Sequence, residues 1–469
     1  MAKHYKKKYI LAEDVVITSL SHTGKGIGRI DNKVVFVEDT VPNDIADIQI
    51  VKNKKDYAEA RMVNLKKASD LRIEPTCNHF GICGGCRLMN LPYEFQLKHK
   101  ESLVIEDFKR ISHLTDYKIH PVIGAEKVLG YRNKLEFTFS RHPWFVSKND
   151  EADSHDDRRV LGFHVRGRFD KVVDIQQCHL QEEPANLIRN TFGKLARQYD
   201  FEFYDQKNNT GFIRTLIIRM TKISEIMVIV VFTADQHEII RSFLTEALRQ
   251  LPPIHSLYYF INPKVNDSIY DLEPNLFHGN TYITERTGHI RLQVGPKSFL
   301  QTNSHQAEIL YSQIEKICGL TGEETVYDLY CGVGSIGLYL AHRCKKIIGI
   351  EAIPESIEEA QANMQLNGID NANFLAGQSE KVLTPDLIAT YGKPDVIILD
   401  PPRAGLHKDL IATLCQIKPE KLLYVSCNPS TQARDAALLS ESFQLIEIQP
   451  IDMFPHTLHV ENIALFKSK

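Results

Sequence analysis

Cys427 stands in "LLYVSCNPST" (422–431), where an apolar run gives way to Asn-Pro-Ser-Thr. A free cysteine in a core is commonly a small hydrophobe, and its chemistry matters only where its surroundings favour the thiolate. Position alone leaves packing, metal ligation and nucleophilic attack open. Two carboxylates hold comparable places: Asp400 in "LDPPRAG" (399–405), at the end of an apolar run, and Glu461 in "TLHVENIALF" (457–466). Upstream, "DLYCGVGSIG" (328–337) is an apolar run entering a Gly-rich turn, and Glu351 lies 23 residues beyond Asp328.

These residue types fit one demanding reaction. A Gly-rich turn lets a ligand approach the backbone, and an acid at the end of the next strand suits the hydroxyls of a ribose. The spacing departs from G-x-G-x-x-G, and no Walker-type Lys-Ser/Thr follows to hold a triphosphate. An Asp at the entrance suits a cationic adenosyl ligand, S-adenosylmethionine, better than NAD. Methyltransferases acting on exocyclic amines often carry an aromatic after Pro-Pro, whereas Arg403 stands there. A cysteine at the next strand end points to methylation of carbon. Carbon 5 of uracil is a poor nucleophile until a thiolate adds at carbon 6; a base must then remove the carbon-5 hydrogen so that the thiolate can leave. Cys427 is the candidate nucleophile, Glu461 the candidate base, and Asp400 a polar group for the pyrimidine oxygens. Spacing alone favours reading Glu461 as a solvated edge acid.

"CNHFGICGGC" (77–86) places Cys77, Cys83 and Cys86 within ten residues, and Cys178 in "QQCHL" is a distant fourth. Four thiolates suit zinc or an iron–sulfur cluster. His79 and His179 stand nearby and read as bystanders. Cys318, Cys331, Cys344 and Cys415 read as packing residues.

The elements that must position these groups are periodic. From about 305, apolar strands alternate with amphipathic helices, which predicts a parallel, doubly wound α/β sheet with its ligand at the carboxyl ends of the strands. "DLYCGVG", "GIE", "LDPPR" and "VSCNP" all fall at those ends. Residues 9–66 read as closely spaced short strands with Gly at the bends, a small OB-like barrel. Lysines cluster at 6–8, 52–55 and 66–67, either to track phosphates or as solvated loop tips. Helical periodicity spans roughly 93–113, and residues 120–295 mix strands and helices without a repeat. The polar "SKNDEADSHDDRR" (147–159) reads as a surface loop.

At 469 residues the chain exceeds one compact core. A net charge of −3 and a pI near 6.7 give no bulk attraction to nucleic acid or membrane, so a polyanion site needs local basic patches. The longest apolar runs, such as "IMVIVVF" (226–232), are strand-sized. No apolar core of signal-peptide length follows the basic start. A cytoplasmic protein is therefore expected, with cysteines reduced unless they hold metal.

"SFLQTNS", "DLYCGVG", "DPPRAG", "YVSCNPST" and "LHVENIALF" occur in the order and setting of the RNA 5-methyluridine methyltransferases, and nearly the whole chain resembles bacterial members that modify 23S ribosomal RNA. The resemblance implies three parts: a TRAM-type barrel over 1–68, a central α+β domain with the iron–sulfur cysteines over 69–300, and a Rossmann-like methyltransferase domain over 301–469. It implies Cys427 as nucleophile, Glu461 as base, and Gln301, Tyr330, Glu351 and Asp400 around cofactor and uracil. It implies a [4Fe–4S] cluster on Cys77, Cys83, Cys86 and Cys178, zinc being the alternative, with a structural rather than redox role. RNA contact by Arg132 and Lys134 in "GYRNKLEF" is a further implication. Where relatives carry a polar residue for the adenine after the third strand, this chain reads "FLAGQSE", with Gln378 as a substitute. The expected partner is RNA, most directly 23S rRNA, acted on by a monomer; transfer RNA, cytosine-5 methylation and a non-catalytic RNA-binding protein are the competing readings.

Overall fold

Residues 10–145 and 157–469 are described by a computed structural model; the lysines at 6–8 and most of the acidic stretch 147–159 lie outside them. Between Ile10 and Lys67 six strands form one sheet. Alternation dictates its inside: Val35 and Val37, Ala46 and Ile48, Ala58 and Ala60 all face one core with Val15 and Ile17. The barrel closes tightly at Gly26, where a Cβ would stand 2.1 Å from Thr40 Oγ1.

The centre is a seven-stranded sheet running from Val172–Asp174 at one edge to Asn275–Gly279 at the other. Its strand Ile226–Phe232 is apolar along its whole length because both faces are covered. Helices Ala185–Gln198 and His237–Gln250 pack on one side, and Ile283 and Val294, from a hairpin, close the other.

The C-terminal sheet is built from β1 (Thr325–Leu329), β2 (Lys346–Glu351), β3 (Ala372–Ala376), β4 (Val396–Leu399), β5 (Lys421–Ser426), β6 (Phe443–Ile451) and β7 (Glu461–Ser468). They lie in the order β3-β2-β1-β4-β5-β7-β6. β1 to β5 are parallel, and β7 runs antiparallel between β5 and β6. Strand order reverses between β1 and β4, which opens a crevice at their carboxyl ends.

The segment after the cysteines does not stay with the central sheet. Lys118–Ile119 pairs with β6, and helix Tyr93–Asp107 lies against helix Pro429–Leu439. The helical periodicity read over 93–113 is a helix to Asp107 and a wider π-turn to Ser112, stopped by His113 in the left-handed region. Its buried face carries Gln96, His99 and Lys100 in its first half and Leu103 and Val104 beyond them. Lys100 Nζ lies 2.6 Å from Asp452 Oδ1 and donates to the Phe454 carbonyl at 3.0 Å, both charged groups being fully buried. Tyr93 donates to the other Asp452 oxygen. This pair anchors the loop that leads into β7. No described helix is long and apolar enough to cross a membrane.

Candidate active site

Each strand end of the reversal point contributes one group. Asp328, on β1, is fully buried; its Oδ2 accepts the Gly337 amide at 2.9 Å while Oδ1 has no partner. The Asp expected to face a ligand thus spends one oxygen on the helix that follows the Gly-rich turn. Tyr330 takes a left-handed φ of 66°, held because the Tyr330 and Cys331 amides both donate to the Ile350 carbonyl. Gly334 opens helix Ser335–Leu340 with φ 80°, and a Cβ there would meet the Phe374 ring at 2.9 Å. Glu351 ends β2, where its oxygens accept the Gly332 amide at 3.1 Å and the Ile353 amide at 3.0 Å. Gln378 is exposed at the head of a short helix.

Asp400 follows β4, and its amide donates to the Leu329 carbonyl. Burial pushes the Asp400 and Asp328 carboxyls up to about 7. Gln301 comes from a different layer. Asn133 donates to its carbonyl at 2.9 Å and to Ser304 Oγ at 2.8 Å. The Arg219 guanidinium, buried in the central sheet, donates to the Ser298 carbonyl at 2.7 Å. Between these clamps Phe299 projects 63% exposed. The central domain therefore holds the segment that carries Gln301, a role that no local pattern in "RNK" or "IIRM" announces.

Cys427 follows β5 directly. The turn beyond it is built by Asn428, whose side chain accepts the Ser430 amide and donates to the Arg403 carbonyl at 3.1 Å. Thr431 donates to the same carbonyl at 3.2 Å. Arg403 is thereby fastened next to the cysteine. Burial raises the Cys427 thiol and the Glu461 carboxylate raises it further, while hydrogen bonding and charge from Arg403 act in the opposite sense. Glu461 opens β7, almost wholly buried, in register with Ile451. Burial holds its carboxyl well above the usual range, Asp400 adds to that, and Arg403 opposes it.

Asp328, Glu351, Asp400 and Glu461 thus sense one another across the strand ends. An acidic crevice with an unpartnered buried oxygen favours a cationic ligand. The sulfonium and amine of S-adenosylmethionine fit that demand, and Glu351 retains lone pairs for ribose hydroxyls. Arg403 entered the sequence reading only as the absence of an aromatic; its fastening to Asn428 and Thr431 requires the folded turn.

Cys77, Cys83, Cys86 and Cys178 line one cavity of about 340 Å³, together with His79, His179 and Arg132. His79 Nε2 accepts the Gln176 amide. Burial, with the neighbouring thiols adding, pushes Cys83 up to about 11 and Cys86 up to about 12. Among the described residues no three Cys, His, Asp or Glu side chains are spaced to hold a metal ion. A metal centre here is not shown. Arg132 and Lys134 do not form a free face: Lys134 pairs with Glu136 and is largely covered, and Arg132 lies 5.5 Å over the Phe454 ring. Cys318, Cys331 and Cys344 are buried packing residues, while Cys415 is half-buried.

The family model for tRNA (uracil-5-)-methyltransferases matches residues 271–469, and that for the TRAM domain matches 13–63. An RNA methyltransferase of Bacteroides thetaiotaomicron is 43% identical over 95% of this chain and 99% of its own length. One from Porphyromonas gingivalis is 43% identical over 96% of this chain and 98% of its own. Among solved structures, the Pyrococcus abyssi tRNA (uracil-54, C5)-methyltransferase in complex with S-adenosyl-L-homocysteine is similar over 96% of this chain and 99% of its own, at 29% identity and a TM-score of 0.75.

Proposed function

Since this chain belongs to the family of RNA (uracil-5-)-methyltransferases that carry a TRAM domain, we propose that it methylates carbon 5 of a uridine in 23S rRNA through a covalent adduct on Cys427. One observation carries the mechanism: Cys427 and Glu461 flank the pair Ser426–Asn462 on adjoining antiparallel strands, at the acidic end of the sheet. When bound, S-adenosylmethionine supplies an electrophilic methyl group on a sulfonium; Glu351, Tyr330, Gln301 and Asp400 are the residues that would hold it and the uracil. The Cys427 sulfur adds its electron pair to carbon 6, and the ring becomes an enolate whose carbon 5 is the nucleophile. Arg403 favours the thiolate before addition. After methylation the Glu461 carboxylate takes the proton from carbon 5, the carbon–sulfur bond breaks and the double bond returns. The target base must leave its stack to reach Cys427, at a cost of about a few kcal/mol.

The four cysteines are suited to a [4Fe–4S] cluster. Burial raises the bare thiols of Cys83, Cys86 and Cys178, and a thiophilic group would bind the cysteines as thiolates. Its place beside the segment that holds the β7 loop supports a structural role. Isolation with stoichiometric zinc and no visible absorbance would overturn it. Transfer RNA is the second reading, supported by the substrate that the Pyrococcus abyssi protein's name states.

The test is nucleoside mapping of 23S rRNA and tRNA from cells lacking the protein. Loss of one 5-methyluridine from 23S rRNA is expected. Loss from tRNA alone would establish the second reading, and loss of 5-methylcytidine instead would overturn uracil chemistry.

A further inference from the structure

The barrel, the cysteine segment and the central domain meet around a cavity of about 400 Å³ that shares Phe80 with the cysteines' space and includes none of the strand-end residues. Its walls include three guanidiniums and two carboxylates, Asp39 and Glu74. Arg72 is spoken for, bound through two nitrogens to the buried Asp44. Arg166 donates to Asp39 at 2.9 Å, but that carboxylate is more than half exposed and holds it weakly. Among the described residues the Arg87 guanidinium makes no ion pair and one hydrogen bond, to the Thr23 carbonyl, with the Asp39 and Glu38 charges acting on it from farther off. The Nε atoms of Arg87 and Arg166 are both buried without an acceptor, and the two cations repel each other enough to add to the effect of burial on Arg87. Two neighbouring guanidiniums with unanswered donors call for an anion with several acceptor oxygens. Phe80 and Asn90, on the same walls, offer a stacking face and a base- or ribose-edge partner.

We propose that this junction cavity is a second nucleotide subsite, which takes the phosphate and base of an RNA nucleotide flanking the methylated uridine. The proposal rests on the RNA methyltransferase reading and adds to it a determinant of substrate choice. Its position supports this. The Arg87 and Leu88 amides both donate to the His456 carbonyl, at 2.7 and 3.0 Å, and Leu458 packs over Gly24 of the barrel. His456 and Glu461 are five positions apart, at most about 18 Å of extended chain. An RNA strand entering the crevice passes this cavity within a few nucleotides.

The test compares Arg87→Gln, Arg166→Gln and the double variant with the wild-type protein. Fluorescence anisotropy is read on labelled 23S rRNA and tRNA transcripts across a salt series. Each single change is expected to weaken binding of the methylated transcript about tenfold and to flatten the log–log salt slope by about one. Arg87→Lys, which keeps the charge but lacks the Nε donor, is expected to fall between. A correctly folded double variant that binds within twofold of wild type with an unchanged slope would overturn the subsite. Should the wild type form 5-methyluridine in neither transcript, the activity reading fails by itself, and the binding comparison still decides the subsite.

Discussion

Cys427 and Glu461 reach the same end of the sheet from strands of opposite direction, one just after Ser426 and the other just before its partner Asn462. The Glu461 carboxylate raises the cost of ionising Cys427, because two negative charges in a covered site repel. Arg403 is the counter-charge common to both. The pair therefore suits sequential use: the sulfur gives up its charge into the adduct before the carboxylate is needed.

Replacing the nucleophile separates binding from turnover. Cys427→Ala is expected to lower turnover on the order of 10³-fold or more while RNA affinity stays close to that of wild type. RNA carrying 5-fluorouridine should form a denaturation-resistant adduct with the wild-type protein and none with this variant, since fluorine cannot leave as a proton.

Removing the base arrests the reaction later. With Glu461→Gln, addition and methylation proceed but the carbon-5 proton stays, so an RNA–protein adduct on unsubstituted uridine should accumulate. Gel mobility and mass spectrometry would show it; rapid release of free 5-methyluridine by this variant would rule out Glu461 as the base.

The rate should rise with pH. Both groups act in their deprotonated forms and both are raised above their usual values, so activity is lost on the acid side. Arg403→Gln removes the charge that lowers both, and the profile of kcat/KM should move to higher pH.

Stability should respond to Asp400 in a definite direction. Its folded pKa is raised from 3.8 to about 7, so in that window the native state binds more protons than the unfolded chain and loses stability as pH rises. Relative to wild type, Asp400→Asn is expected to gain stability progressively from about pH 4 to pH 7 and no further. Urea unfolding at stepped pH, without cofactor, measures this.

The buried pair behind β7 should be costly to break. Lys100→Met leaves Asp452 buried and uncompensated, a loss of about 3–5 kcal/mol, with reduced activity because the loop before Glu461 loosens. Lys100→Met combined with Asp452→Leu should recover part of that stability in urea titrations. A single variant unfolding like wild type would show that the pair holds nothing.

Local pattern carried much of this. Alternating apolar runs placed β1 to β5, and the turns after them put Asp328, Glu351, Asp400 and Cys427 at strand ends, because strand and helix periods are properties of neighbouring residues. The barrel was legible for the same reason, from period two and glycines at bends. Resemblance, not period, supplied Gln301 and Tyr330, while the roles of the carboxylates came from the chemistry the reaction demands.

What sequence could not decide was which remote segments touch. Glu461 reads alone as an edge acid; it becomes a buried partner of Cys427 only because β7 inserts antiparallel between β5 and β6. Lys100 and Asp452 are 352 residues apart, and their pairing exists only where helix and loop exclude water together. "GYRNKLEF" reads as an exposed basic strand, yet folding covers Lys134 and ties Asn133 to the Gln301 carbonyl and Ser304. Side-chain alternation is set by the chain's own geometry, whereas burial and charge pairing are set by whatever the fold brings opposite.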